Sequence, residues 1–118
     1  MKILAIETSC DETSVAVVEA WMGTQDMPKF KILANTTSSQ VKLHARFGGV
    51  VPTLAAREHL NNLIPVFDAT LKKAGFKKDD WGKKIQLLAV TKGPGLIPSL
   101  LIGVEFAKTV AWITKLPL

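Results

Sequence analysis

An α/β fold on a mixed sheet, with an antiparallel three-stranded meander followed by βα units, is predicted by three stretches of this 118-residue chain. The first is Lys2 to Val18, where an apolar run, a polar knot and a β-branched run read as strand, turn and return strand. The second is Phe30 to Thr36, where Phe30, Ile32 and Ala34 alternate with Lys31 and Leu33 as a third strand of the meander. The third is the continuous apolar run Ile85 to Thr91, followed at once by Lys92-Gly93-Pro94-Gly95 and an apolar helix from about Ile97 to Thr114. With 47% hydrophobic residues, a chain of this length buries one core and forms one compact unit.

Each element has its own warrant. Ile3, Leu4, Ala5 and Ile6 form the short apolar run expected of a strand buried on both faces. The knot from Glu7 to Ser14 then offers three carboxylates and four hydroxyls at one sheet end, polar chemistry on a rigid support. The return strand ends near Trp21, and Gly23, Asp26 and Pro28 punctuate the loop before the third strand; strands joined by such turns are antiparallel neighbours. Thr36, Thr37, Ser38 and Ser39 are expected to break the pattern, and Gln40 to Pro52 reads as an ordered loop with about one turn of helix. From Thr53 the period becomes helical, with Leu60, Leu63, Ile64, Phe67, Leu71 and Ala74 on one face. Pro65 removes a backbone donor inside that pattern and is expected to kink or split the helix, into Thr53 to Asn62 and Ile64 to Ala74. Lys72, Lys73 and Gly75 suit a helix terminus. Lys72, Lys73, Lys77, Lys78, Lys83 and Lys84, interrupted by Asp79 and Asp80, read as a solvated loop. The glycine turn at Gly93 and Gly95 presents backbone donors at a helix start, but without the spacing of a dinucleotide or phosphate loop, so a purely structural turn stands beside an anion cradle. The last helix is apolar around most of its axis, which predicts burial on most sides and a partner beyond the sheet.

Charge and cysteine usage narrow the setting. Fifteen basic against ten acidic side chains give a net charge of +5, which favours a polyanion partner without identifying one. The single Cys10 has no partner for an internal disulfide, no signal segment opens the chain, and no apolar run is expected to be long enough to cross a bilayer. A reducing, cytoplasmic location follows as an expectation. Cys10 reads as a small packed residue rather than a nucleophile, and His44 and His59, off any shared helix face, read as hydrogen-bonded structural histidines. The chain stops where a βα unit feeds its next parallel strand, so residues 1–118 are expected to be the amino-terminal subdomain of a longer protein. The element order is the half-domain plan, ribonuclease H-like, of the actin, Hsp70 and sugar-kinase superfamily.

Three motifs carry a closer resemblance. IETSCDETSVA at Ile6 to Ala16, SQVKLHARFGGVVPTLAAREH at Ser39 to His59 and TKGPGLIPSLLIG at Thr91 to Gly103 resemble the amino-terminal part of the bacterial tRNA threonylcarbamoyladenosine synthase catalytic subunit. This family was earlier labelled glycoprotease or O-sialoglycoprotein endopeptidase. The resemblance implies transfer of a threonylcarbamoyl group from threonylcarbamoyl adenylate to N6 of adenosine 37 of tRNA. It implies a metal ion, iron or zinc, in the parent protein, held by a His-x-x-x-His motif that follows the last residue here, so no metal ligand and no cofactor are expected in this chain alone. By the same resemblance Asp11 and Glu12 are the candidate catalytic residues, and Thr8, Ser9, Thr13, Gly93 and Gly95 the candidate cofactor-binding ones. Thr53 stands where relatives commonly carry Glu, and Lys92 and Pro98 replace small residues around Gly-Pro-Gly. The implied partners are a paralogous subunit, an ATPase subunit and, through the complex, tRNA, with a homodimer through apolar helices as a further expectation and no membrane. The chain alone is expected to be inactive. Two other readings remain open: a non-catalytic scaffold module of the same complex, and a fragment of an ATP-dependent phosphotransferase.

Overall fold

The computed structural model describes residues 1–77 and 79–118; Lys78, one of the clustered lysines, lies outside the described residues. Four strands, β1 (Lys2–Glu7), β2 (Glu12–Met22), β3 (Pro28–Ser39) and β4 (Leu87–Val90), form one sheet in the order β3-β2-β1-β4. β1 pairs antiparallel with β2, Leu4 opposite Val17 and Ile6 opposite Val15, and parallel with β4, Leu4 opposite Leu88. β2 pairs antiparallel with β3, with a register shift between Val17 and Val18. The mixed sheet and the meander are those the sequence predicts.

The helices are α1 (Val41–His44), α2 (Pro52–Lys73), α3 (Trp81–Lys84) and α4 (Ile97–Thr114). Leu4, Ile6, Val15, Val17 and Leu88, all on one face of the sheet, form a single cluster with Leu63, Val66, Phe67 and Leu71 of α2 and Ala107 and Val110 of α4. Phe67 anchors it, meeting Trp81 and Phe106 edge-on at centroid distances of 5.2 and 5.4 Å. Both long helices therefore cover the same face. Ile3, Ala5 and Glu7 alternate onto the other face and are only half-buried, so β1 is covered on one side rather than two.

Six local expectations change. β3 continues through Thr36 to Ser39, because Glu12 to Val15 offer a free ladder to pair with and Ser14 and Thr37 join hydroxyls at 2.8 Å; pairing outweighs composition. α2 is one uninterrupted 22-residue helix. Pro65 and Asn61 are both exposed, so the Asn61 carbonyl that loses its donor faces water, while the buried face ties both halves to the sheet. That face is turned from the expected one: Leu63, Phe67 and Leu71 are buried, but Leu60 and Ile64 are 63% and 60% exposed, their places taken by Ala55, His59, Val66 and Thr70. α4 has the expected bounds but buries one stripe only, Ser99, Leu100, Gly103, Ala107 and Val110, leaving Ile97, Leu101, Trp112 and Ile113 exposed. By length and composition α4 is apolar enough to cross a membrane, contrary to expectation, although its buried stripe packs on the sheet as a core helix does. The strand predicted at Ile85 to Thr91 is trimmed to Leu87–Val90, and on its free edge Leu88 N–H donates to the Pro117 carbonyl at 2.9 Å.

Candidate functional site

The connection between β1 and β2 lies at the carboxyl end of the parallel pair β1 and β4, where strand order runs outward in both directions from β1. In open α/β sheets this is the position where crevices for ligands form. Three elements hold the turn by its carbonyls. The Ser9 carbonyl accepts from Leu96 N–H at 2.8 Å, at the start of α4. That of Cys10 accepts from His59 Nε2–H of α2 at 3.0 Å and from the Ser99 hydroxyl at 3.4 Å, and that of Asp11 from Gln40 N–H at 2.9 Å. With its carbonyls taken inward, the turn leaves the side chains of Ser9 and Asp11 half-exposed and that of Glu12 exposed. Among the described residues neither Asp11 nor Glu12 takes part in a salt bridge.

Thr8 and Thr13 are fully buried and frame this turn rather than facing it. Thr8 Oγ1 donates to the Ser99 carbonyl at 2.9 Å, and Gly103 lies so near that a Cβ there would fall on the Thr8 hydroxyl. Thr13 Oγ1–H donates to His59 Nδ1 at 2.8 Å. Because Nε2 faces a carbonyl, which only accepts, the network assigns His59 the neutral Nε2–H tautomer. Burial pushes its pKa below the ordinary value, against the opposing pull of the Cys10 carbonyl and the Glu7 and Asp11 charges. His44 is likewise bonded through both nitrogens, to Gln40 Oε1 at 2.9 Å and Val51 N–H at 3.3 Å. Both histidines are thus hydrogen-bonded and structural, as the sequence reading expects.

Of the glycine loop, Gly95 sits against the turn: a Cβ there would meet the Ser9 carbonyl oxygen at 2.6 Å, so only glycine allows the approach. Gly93 is exposed, with nothing within 4 Å of its Cβ direction. The structure therefore brings Ser9, Asp11 and Gly95 to one end of the sheet with Glu12 at the turn's far side. Cys10 is exposed rather than packed as expected, since the turn carries it outward, and local desolvation, then the hydrogen bond and charge of Asp11, push its thiol upward, which keeps it protonated and a poor nucleophile at neutral pH.

Glu7 belongs to the site although the motif reading gave it no role. Partial burial pushes its carboxyl up, but hydrogen bonds from Ser9 and Thr91 outweigh this and hold it below the usual range; Ser9 N–H reaches Oε1 at 2.6 Å. It lies at the head of a cavity of about 270 Å³ on the uncovered face, floored by Ala5, Ala16 and Ala89, which pair in one row across three strands. The signal in the sequence was its place in β1, one residue of alternation beyond Ala5. A second cavity, of about 220 Å³, opens between Asp11 and the segment from Val41 to Val50.

A metal ion does not fit the residues present. Among the described residues no three of His, Cys, Asp and Glu stand together as a ligand set, and both histidine rings are spent on hydrogen bonds.

Comparison with known proteins accords with this geometry. The sequence profile of tRNA N6-adenosine threonylcarbamoyltransferase matches residues 31–118. Proteins of that name from Persephonella marina and Lacticaseibacillus casei are 50% identical over 118 residues and 52% over 116, covering 100% and 98% of this chain. The chain spans only 31% and 30% of their lengths. YeaZ from Pseudomonas aeruginosa superposes with a TM-score of 0.62 over 99% of this chain and 42% of that one, at 19% identity, a likeness of fold. With the profile matching residues 31–118 and these relatives covering 98–100% of the chain, it belongs to the tRNA N6-adenosine threonylcarbamoyltransferase family.

Proposed function

We propose that this chain is the amino-terminal subdomain of an enzyme that transfers a threonylcarbamoyl group from threonylcarbamoyl adenylate to N6 of a tRNA adenosine. It supplies the hairpin-turn part of the active site and is inactive alone. The observation that carries this is the turn itself: a backbone bound to three elements, presenting Ser9, Asp11 and Glu12 outward at the switch point of the sheet, in a chain half identical to transferases throughout.

In the reaction the N6 amine forms a bond to the carbamoyl carbon, the bond from that carbon to the adenylate phosphate oxygen breaks, and AMP leaves with the electron pair. The amine must lose a proton. Asp11, beside the cavity at the turn, is the group placed to accept that proton, and Glu12 orients the incoming amine or its water. Ser9 and the Gly93 to Gly95 loop line the side toward the adenylate, with Thr8 and Thr13 holding the turn in place. The metal and most adenylate contacts belong to the rest of the parent protein, while the paralogous and ATPase subunits are its partners, the paralogue docking on the apolar helices of this chain.

The test is mass spectrometry of nucleosides from tRNA incubated with threonylcarbamoyl adenylate. The longer protein containing this chain should form threonylcarbamoyladenosine, the 118-residue chain alone should not, and Asp11→Asn in the longer protein should lower kcat about 100-fold or more. Full activity of the Asp11→Asn and Glu12→Gln variants would remove both from the chemistry.

A further inference from the structure

We propose that Glu7 is a positioning residue of the transfer reaction: its carboxylate clasps the turn between β1 and β2 to the glycine loop and so fixes where Asp11 and Glu12 stand. The proposal deepens the transferase reading and rests on it. Glu7 is the last residue of β1, opposite Ser14 in the ladder with β2 and next to Ile6, whose carbonyl accepts from Thr91 N–H at 3.1 Å just beyond β4. The ends of three strands therefore meet at one carboxylate. Ser9 N–H donates to its Oε1 at 2.6 Å, and the side chains of Ser9 and Thr91 hydrogen-bond to it as well. Ser9 opens the turn that presents Asp11, and Thr91 leads into the loop from Lys92 to Gly95.

The strand itself does not require a charge at this position. Ile3 and Ala5 share the face of Glu7 on β1 and are apolar, and a half-buried carboxylate costs desolvation unless its oxygens are met by donors. The donors that meet it are a backbone amide and hydroxyls rather than a cation, since among the described residues Glu7 takes part in no salt bridge. Ser9 is thereby gripped from two sides, its N–H by Glu7 of β1 and its carbonyl by Leu96 N–H at the start of α4, with Gly95 close against it. Releasing one side frees the turn to move. A shift of about 1 Å in a reacting group is enough to cost a large part of the rate, even when the residue replaced lies away from the chemistry.

Two substitutions in the longer protein divide a clasp from a group that moves a proton. Glu7→Gln keeps one oxygen to accept from Ser9 N–H and is expected to hold kcat within about threefold, whereas Glu7→Leu keeps no acceptor and is expected to lower kcat about tenfold or more, both with KM for tRNA unchanged. Thermal unfolding shows whether each variant is folded at the assay temperature. Should Glu7→Leu not fold, Thr91→Val, which removes one donor from the same carboxylate, is read in its place, with a loss of about twofold or more in kcat. Because the clasp acts through the turn, Glu7→Leu in an Asp11→Asn background should cost less than about twofold further. Site-resolved hydrogen exchange reads the same bond without activity: the Ser9 amide should exchange at least about tenfold faster in Glu7→Leu than in Glu7→Gln. Full kcat in Glu7→Leu, equal losses in Glu7→Gln and Glu7→Leu, or a loss that multiplies with that of Asp11→Asn overturns the proposal. An active wild-type protein whose Ser9 exchange ignores Glu7→Leu sinks the clasp alone. Exchange that responds as expected, in a wild-type protein that forms no threonylcarbamoyladenosine, sinks the transferase reading alone.

Discussion

His59 is a buried imidazole with a donor to the Cys10 carbonyl and an acceptor for Thr13, and it joins α2 to the turn that presents Asp11. Replacing it by alanine leaves the Thr13 hydroxyl and the Cys10 carbonyl short of partners in a buried site, which should cost roughly 2–4 kcal/mol in urea unfolding. The pH dependence has a definite sign. With its folded pKa depressed below 6.5, the unfolded chain binds more protons than the folded one between that depressed value and 6.5. His59 therefore adds stability that is present above 6.5 and lost as pH falls through the window beneath it. A His59→Gln variant should show a flatter stability curve across that window; an unchanged slope would assign the proton uptake elsewhere. Gly95→Ala tests the other side of the turn, where a methyl would strike the Ser9 carbonyl, and should lower stability by about 1–3 kcal/mol.

Among the elements, α2 and α4 show what a hydrophobic pattern conveys and what it leaves out. Strands β1 and β2, the βα unit at Gly93 and the bounds of α4 were legible because runs of apolar residues end at turn residues. The buried face of α2 was not, because polar and small side chains form part of it. Thr70 is buried by donating to the Val66 and Val15 carbonyls, at 2.8 and 3.2 Å, and His59 by its two bonds, so neither looks apolar in a periodicity count. Likewise the polar turn was legible as a site, but the burial of Thr8 and Thr13 was not, since it depends on Ser99 and His59 arriving from α4 and α2. Pro65 gives a test at this scale. It stands on the exposed side of a continuous helix, so Pro65→Ala restores a hydrogen bond to Asn61 without repacking and should stabilise by about 1 kcal/mol or more, read as a higher Tm. A lower Tm would mean that the proline's restriction of the unfolded chain outweighs the lost bond.

At the scale of the molecule, the covered and uncovered surfaces decide behaviour in solution. The helices close one face of the sheet, while α4 exposes Ile97, Leu101, Ile113 and a Trp112 that is 76% accessible under the Lys115 ammonium, 4.2 Å from its ring. Leu60 and Ile64 extend the same apolar character onto α2, which packs against α4. Water contact with that much apolar surface favours association, and the free edge of β3 offers further unpaired backbone. The chain on its own should therefore self-associate, with light scattering giving a mass above 12.8 kDa that rises with concentration. Leu101→Gln combined with Ile113→Gln should shift it toward monomer with little change in Tm, because both side chains lie outside the buried stripe of α4. A monomer across a wide concentration range would show that these apolar residues are too dispersed to act as one surface. Association unaffected by the double substitution would move the contact to the sheet edge.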